Sequence, residues 1–151
     1  MAEHTIPDGV WPTMVTPYRE DGDVDFAVLE RMVDWYVGRG VAGLFAVCQS
    51  SEMFHLSLRE RLDLARACVR LSAGRVPVIA SGHVADAEAD QIEEARAMAD
   101  TGIAALVLLT NRFARVDEDD RAFVRRLDRF LERLRIDIPL GFYECPFPYK
   151  R

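Results

Sequence analysis

The sequence predicts an α/β protein that contains a parallel β-sheet. Five apolar runs are continuous rather than alternating, which is typical of strands that are covered on both faces. Four segments with the apolar spacing of helices separate these runs. The runs start near residues 10, 43, 76, 105 and 139, so the intervals between them are 33, 33, 29 and 34 residues. A strand–helix unit of nearly constant length predicts right-handed crossovers between parallel strands.

The predicted strands cover residues 9–15, 43–47, 76–81, 105–110 and 139–143. Pro12 suits the middle of a central strand poorly, because proline donates no hydrogen bond to a ladder. The predicted helices turn these residues inward: Leu29, Met32, Val33 and Tyr36; Leu58, Leu62, Ala65 and Val69; Ile92, Ala95 and Ala99; Phe123, Leu127, Phe130, Leu131 and Leu134. Ser57 and Glu60 predict a capping box at the second helix. The third helix is predicted from about Ala87 to Asp100, with Gly102 as its C-terminal cap.

Two architectures contain such a repeat, the (β/α)8 TIM barrel and the doubly wound sheet. The turn after the first strand, TPYREDGD, has neither a GxGxxG pattern nor a P-loop, which favours the barrel. Eight units of this length need about 250 residues, whereas the chain has 151. We therefore expect residues 1–151 to form a single domain that is the N-terminal part of a TIM barrel: about four βα units and a fifth strand.

The formal net charge of −6 excludes a general nucleic-acid-binding protein, which would need a basic face. The fourth predicted helix nevertheless carries five arginines, which are Arg125, Arg126, Arg129, Arg133 and Arg135. These arginines predict either a phosphate-binding patch or a solvated outer face. Asp128 and Glu132 are interleaved with them and favour the solvated face.

The N-terminal segment MAEHTIPDGV lacks the features of a signal peptide. The longest apolar runs are too short to span a bilayer, so no membrane partner is expected. Cys48, Cys68 and Cys145 are widely spaced and form no zinc pattern, which favours reduced thiols in a cytoplasmic protein. His4 and His55 stand alone, and we expect no metal site.

Function in both architectures gathers at the carboxyl ends of the strands. The segment CQSSE places Gln49, Ser50 and Ser51 between the second strand and its capped helix, where small donors suit a carboxylate or a phosphate. An ordinary polar loop is equally compatible with this pattern. Tyr143 ends the fifth strand, where a tyrosine either transfers protons or packs as an aromatic. Glu52 and Glu144 are further acid–base candidates that no spacing pairs.

Two more strand-end residues invite a choice between chemistry and structure. Cys48 is a possible nucleophile, but no histidine is placed beside it, so a buried structural thiol is favoured. His83 follows the third predicted strand, where a hydrogen bond within the loop is favoured over a role as ligand or base.

Five segments follow one another in this order: TPYREDGDVD, GVAGLFAVCQSSEMFHLSLRER, GRVPVIASG, TGIAALVLLT and FYECP. Together they resemble the N-terminal part of the dihydrodipicolinate synthase and N-acetylneuraminate lyase family. The resemblance runs from about Gly9 to Pro146. It implies a (β/α)8 barrel enzyme, a pyruvate-dependent class I aldolase or lyase that cleaves or forms a carbon–carbon or carbon–oxygen bond.

The resemblance also implies roles for individual residues. Ser50 matches the threonine that holds the pyruvate carboxylate, and Ser51 lies beside it in the same turn. Gln49 takes the place of a threonine that relays protons, and its amide cannot pass a proton as a hydroxyl does. Tyr143 matches the catalytic tyrosine that moves protons to and from the substrate carbonyl. Phe113 takes the place of the second relay tyrosine of the synthases, so the lysine-biosynthesis reaction is not what the resemblance favours.

The family forms a Schiff base through a lysine on the sixth strand and needs no cofactor. Lys150 is the only lysine of this chain and follows Tyr143 by only seven residues, so it does not match that position. Arginine cannot supply the free amine that a Schiff base needs. We therefore expect the 151-residue chain alone to be inactive and to be part of a longer enzyme. The expected partners are a pyruvate-like 2-oxo acid and further copies of the same chain in a homo-oligomer.

An alternative of a different class is a non-catalytic half-barrel that binds a partner or associates with itself. A barrel has no sheet edges, whereas stopping after the fifth strand leaves two strands with unpaired backbone groups. The apolar residues expected at these edges are Val10, Met14, Leu140 and Phe142. On this basis the isolated chain is expected to self-associate.

Overall fold

The computed structural model describes residues 6–144 as parallel strands that alternate with helices. The elements are α1 (Phe26–Gly38), β1 (Leu44–Val47), α2 (Leu58–Ser72), β2 (Val78–Ala80), α3 (Glu88–Ala99), β3 (Ala105–Leu109), α4 (Asp120–Leu134) and β4 (Leu140–Tyr143). Short 3-10 turns follow β1 at Gln49–Ser51 and β3 at Thr110–Arg112. The strands pair in parallel in the order β1-β2-β3-β4. The predicted α/β repeat is confirmed.

The predicted first strand, residues 9–15, is wrong as a regular strand. Only Thr13 forms a parallel bridge, and its partner is Phe45 of β1. The segment still runs beside β1, because the Phe45 N–H donates to the carbonyl of Pro12 (3.1 Å) and Met14 donates to the carbonyl of Phe45 (3.0 Å). Pro12 has no N–H of its own, so the ladder is interrupted at its centre.

Polar residues cap α1, α2 and α4 at their N-termini, whereas α3 follows Ala87 without a side-chain cap. The Ser57 hydroxyl accepts from the Glu60 N–H at 3.3 Å, and the Glu60 carboxylate accepts from the Ser57 N–H at 2.7 Å, which confirms the capping box. Asp25 and Asp119 cap α1 and α4 through their carboxylates in a similar way. The third helix lies within one residue of its predicted bounds at each end.

Helix α2 turns a partly different face to the sheet than the sequence predicted. Ala65 is buried as expected, together with Leu64 and Cys68. Leu62 and Val69 are only half-buried at the margin of this core. The buried side of α2 therefore carries mainly small side chains, Ala65, Ala67 and Cys68, together with Leu64.

The sheet has two differently packed faces. The helices cover the outer face and form the main core with it. On the opposite side, which we call the inner face, Phe45, Ile79, Val107 and Tyr143 form a smaller apolar cluster. The Phe45 and Tyr143 rings are 5.8 Å apart, although β1 and β4 are the two outermost strands of the sheet. Neighbouring strands are about 4.8 Å apart, so the sheet must curve strongly, as a barrel wall does.

The residues expected at open edges follow this geometry with one correction. Val10, Leu140 and Phe142 are exposed, with 69%, 41% and 56% of their surface accessible. Met14 is instead buried in the main core, because it faces the helices rather than the inner face. None of the helices in residues 6–144 combines the length and the apolar character that crossing a bilayer requires.

Candidate active site at the carboxyl ends of the strands

The turn after β1, residues 48–52, is fixed by its own hydrogen bonds, and we call it the β1 turn. The Ser51 hydroxyl accepts from the N–H of Cys48 and donates to its carbonyl, both at 2.7 Å. Ser51 is fully buried, so its hydroxyl shapes the turn from within. The buried hydroxyl of Thr16 donates to the Ser51 carbonyl at 2.8 Å and anchors the turn to the N-terminal segment.

Ser50 has a different environment from Ser51. It is exposed, and its hydroxyl lies 3.3 Å from the hydroxyl of Thr13. Gln49 is half-buried, and its carbonyl accepts from the Glu52 N–H at 2.9 Å. The turn therefore presents the Ser50 hydroxyl to solvent on a backbone that is held rigidly beneath it.

Glu52 closes the β1 turn in a left-handed backbone conformation, with φ 60° and ψ 32°. This conformation costs a non-glycine residue roughly 1–2 kcal/mol. Its carboxylate accepts from the Tyr18 hydroxyl at 3.4 Å. Partial burial, together with the charge of Glu52, raises the pKa of Tyr18.

Tyr143 lies at the end of β4 and faces the inner side of the sheet. Its ring packs edge-on against Phe45, with an angle of 80° between the ring planes. The Thr110 hydroxyl donates to the Tyr143 carbonyl at 3.3 Å. Phe45 belongs to the strand that leads directly into the β1 turn. The structure thus brings two of the predicted site features, the turn and the tyrosine, to the same end of one face of the sheet.

Cys48 has the environment of a structural thiol. It is fully buried, and its Sγ lies 3.7 Å from the Met14 carbonyl. Burial raises the pKa of the Cys48 thiol, so the reactive thiolate is disfavoured. Burial likewise raises the pKa of Cys68 to about 12. Cys145, like Lys150, lies outside the described residues.

His83 is a buried hydrogen-bond acceptor rather than a base exposed to substrate. Its Nε2 accepts from the backbone N–H of Leu109 at 2.7 Å, which bridges the loop after β2 to the end of β3. Its ring packs against the rings of Phe113 and Phe130, with centroids 5.6 and 5.5 Å away. Burial lowers the pKa of His83 to about 3, so the imidazole is neutral near pH 7. The prediction of a structural hydrogen bond rather than a ligand or base role agrees with this burial, but the partner of His83 belongs to β3 and not to its own loop.

Sequence reasoning missed several residues that shape this end of the sheet. Thr13, Thr16 and Tyr18 all contact the β1 turn from the N-terminal segment. The available signal was the run of hydroxyl residues in PTMVTPY, which ends the predicted first strand. No group of three or more histidine, cysteine, aspartate or glutamate side chains in residues 6–144 is arranged to hold a metal ion.

A separate cavity of about 660 Å³ lies between α3, the 3-10 turn after β3, and α4. Its charged lining is largely balanced within the protein. Arg112 donates to Asp86 at 2.9 Å, and Arg126 pairs with Glu118. The β1 turn and Tyr143 do not contribute to its walls.

The curved parallel sheet and its outer helices define part of a (β/α)8 barrel, and the candidate site lies at the carboxyl ends of its strands. The chain belongs to the dihydrodipicolinate synthetase family, whose family model matches residues 6–120.

A 4-hydroxy-tetrahydrodipicolinate synthase of Shewanella sp. (strain ANA-3) is 35% identical over 97 residues, which cover 64% of this chain and 33% of that protein. A crystal structure of a chloride-inhibited dihydrodipicolinate synthase from Acinetobacter baumannii in complex with pyruvate is 28% identical, with a TM-score of 0.81, and the match covers 94% of this chain and 47% of that one. A dihydrodipicolinate synthase from Bacteroides thetaiotaomicron is 26% identical, with a TM-score of 0.82, 97% of this chain covered and 48% of that one. The chain therefore spans a third to a half of the length of these relatives.

Proposed function

We propose that this protein is a pyruvate-dependent Schiff-base aldolase or lyase. The observation that carries the proposal is the arrangement at one end of the inner face. The exposed hydroxyl of Ser50 lies on the rigid β1 turn. Tyr143 lies at the end of β4, and its ring contacts Phe45 of β1, the strand that leads into that turn. A relative with 28% identity binds pyruvate in its crystal structure, which supports a 2-oxo acid as the ligand.

In this proposal the β1 turn binds the carboxylate of the 2-oxo acid. Ser50 donates its hydroxyl proton to a carboxylate oxygen, and such charge-assisted bonds are stronger than neutral ones. Ser51 takes part through the shape of the turn, because its hydroxyl is used inside it. Gln49 supplies an amide beside Ser50, which can orient the substrate but cannot relay a proton as a hydroxyl does.

Tyr143 is proposed to transfer protons at the substrate carbonyl. A phenol hydroxyl can both donate and accept. After the amine adds to the carbonyl, one residue can protonate the carbinolamine hydroxyl, which leaves as water, and can take back the proton that the nitrogen loses. The edge-on packing of its ring against Phe45 restricts the orientation of the Tyr143 side chain. This positioning is what acid–base catalysis requires before any adjustment of acidity.

The imine-forming amine is proposed to come from a lysine other than Lys150, in a further βα unit of the full-length polypeptide. Lys150 is the only lysine in the 151 residues. Its spacing from Tyr143 does not match the family pattern of a lysine on the following strand. No arginine can take over this step, because the guanidinium has no free amine at neutral pH.

Borohydride trapping with labelled pyruvate tests the proposed function. The full-length polypeptide is expected to incorporate about one label per chain, on a lysine identified by peptide mapping. The polypeptide of residues 1–151 is expected to incorporate none. Failure to label the full-length polypeptide overturns the function, and stoichiometric labelling of residues 1–151 overturns the assignment of the lysine. As a matched control, Ser50→Ala should reduce labelling at low pyruvate, whereas Ser50→Thr should retain it.

A second candidate, an association module without catalysis, is favoured by one observation. Leu140 and Phe142 expose 41% and 56% of their surface along β4. We propose that this apolar strip supports homo-oligomer formation. We also propose that the protein acts in the cytoplasm with its cysteines reduced. If the full-length polypeptide binds no pyruvate but still associates through this strip, the second candidate replaces the first.

A further inference from the structure

We propose that Thr13 is a second carboxylate-binding residue, acting beside Ser50 to set the specificity for an anionic 2-oxo acid. This inference rests on the proposed function, because it names a further contact to the same substrate group. Nothing in the sequence pattern of the β1 turn points to Thr13, which lies in a different segment, 37 residues before Ser50.

The position of Thr13 relative to the sheet follows from its neighbours. Thr13 pairs with Phe45 in a parallel bridge, and paired residues point to the same side of a sheet. Phe45 belongs to the inner-face cluster with Tyr143. The next residue, Met14, is buried on the opposite side against the helices. Alternation along an extended chain therefore places Thr13 on the inner face.

Thr13 and Ser50 reach each other on this face. Their hydroxyl oxygens are 3.3 Å apart, and both residues are exposed. In this structure the Ser50 hydroxyl donates to that of Thr13. When a carboxylate binds, each hydroxyl can rotate and donate its single proton to a different carboxylate oxygen, since a hydroxyl has one donor and two acceptor positions. A carboxylate has two oxygens that accept, so a pair of adjacent hydroxyls suits it better than one.

The contact is not needed to hold the β1 turn in place. The buried Thr16 hydroxyl already ties the N-terminal segment to the Ser51 carbonyl at 2.8 Å. The Met14 N–H and the Phe45 N–H add backbone bonds between the same two segments. The exposed hydroxyl pair of Thr13 and Ser50 therefore contributes little to the stability of the fold. We expect the loss of either hydroxyl to change ligand binding instead.

Two variants of the full-length polypeptide test the proposal with pyruvate as the ligand. Thr13→Val keeps the branched shape and removes only the hydroxyl, and it is expected to weaken pyruvate binding about tenfold or more, as for a lost hydrogen bond to a charged group. Thr13→Ser keeps the hydroxyl and is expected to stay within about threefold of the wild type. The midpoint of thermal unfolding is measured in parallel and should not change.

The outcomes separate this inference from the function on which it rests. A wild type that binds pyruvate, with an unchanged affinity in Thr13→Val, overturns the role of Thr13 and leaves the proposed function standing. Equal losses in Thr13→Val and Thr13→Ser also overturn it, because the hydroxyl would not be the cause. A wild type without pyruvate affinity overturns both. A loss in Thr13→Val alone, seen in KM rather than in kcat, supports the assignment.

Discussion

Arg61 and Glu94 form a buried ion pair in which Nη2 lies 2.5 Å from Oε1. Arg61 also donates to the carbonyl of Leu56 at 3.2 Å, just beyond the β1 turn. The second oxygen of Glu94 accepts from the backbone N–H groups of Val84 and Ala85, at 2.7 and 2.9 Å. One pair thus ties α2, α3 and the loops after β1 and β2 together. The carbonyls that Arg61 binds, those of Met53 and Leu56, directly follow the β1 turn in the sequence.

Removal of Arg61 is expected to destabilise the fold strongly. Arg61→Ala leaves the Glu94 charge buried without its partner, which typically costs about 3–5 kcal/mol. The matched control is Arg59→Ala, two residues earlier on the same helix. The Arg59 side chain is 91% exposed and pairs with Asp63 only at 3.7 Å, so its removal should change stability by less than about 0.5 kcal/mol. Urea unfolding measures both, and equal effects would contradict the importance of the buried pair.

His83 is expected to make stability depend on pH below neutrality. Its pKa is depressed in the folded state from 6.5 to about 3, so the unfolded chain binds a proton that the folded chain refuses. His83 therefore makes its full contribution to the free energy of unfolding above pH 6.5. That contribution is lost by about 1.4 kcal/mol per pH unit as the pH falls toward 3.

The His83→Gln variant isolates this term from the carboxylates that titrate in the same range. The slope of unfolding free energy between pH 6 and 4 should be smaller in His83→Gln than in the wild type by roughly one proton. His55→Gln, which replaces an exposed histidine in the same way, serves as the control for the substitution itself. A His83→Gln slope that matched the wild type would show that His83 does not carry the effect.

Tyr143→Phe is expected to lower the turnover of the full-length polypeptide by about a hundredfold or more, the usual scale for an acid–base group. The substitution keeps the ring that packs against Phe45 and removes only the hydroxyl. Tyr36→Phe removes a hydroxyl from the half-buried face of α1 and should leave turnover unchanged. Steady-state kinetics measures both variants, and near-normal turnover of a folded Tyr143→Phe would rule out proton transfer by this residue.

The polypeptide of residues 1–151 is expected to self-associate at low micromolar concentration. Phe142 and Leu140 are exposed apolar residues on β4, and strand edges with unpaired backbone groups pair readily with other chains. Both residues are replaced with threonine, which has a high propensity for strands. The molar mass that light scattering measures after size exclusion should then shift toward that of the monomer. Val124→Thr removes a similarly exposed apolar residue from α4 and should leave the molar mass unchanged. A folded monomer of the unaltered polypeptide would refute this expectation.

The repeat of strands and helices, the approximate bounds of four strands and the start of α2 could be predicted from the sequence alone. Four of the five continuous apolar runs are strands in residues 6–144, and strands covered on both faces have no polar side to alternate with. Ser57 and Glu60 located the start of α2, because a capping box involves only residues close in sequence. Four candidate site residues could be placed at strand ends because they follow or end apolar runs in the sequence: Gln49, Ser50, Ser51 and Tyr143. Their roles in chemistry remain predictions.

Features that depend on partners distant in sequence could be established only from the fold. Pro12 lies beside β1, but its segment does not form a regular strand. Proline has no N–H to donate, and this has a consequence only where a neighbouring strand offers an acceptor. Arg61 is buried because Glu94, 33 residues away, compensates its charge. Thr13 lies against Ser50 because the first segment packs beside β1. A sequence pattern shows whether a side chain is apolar, polar or charged. Burial, charge compensation and hydrogen bonding depend instead on which groups the fold brings into contact.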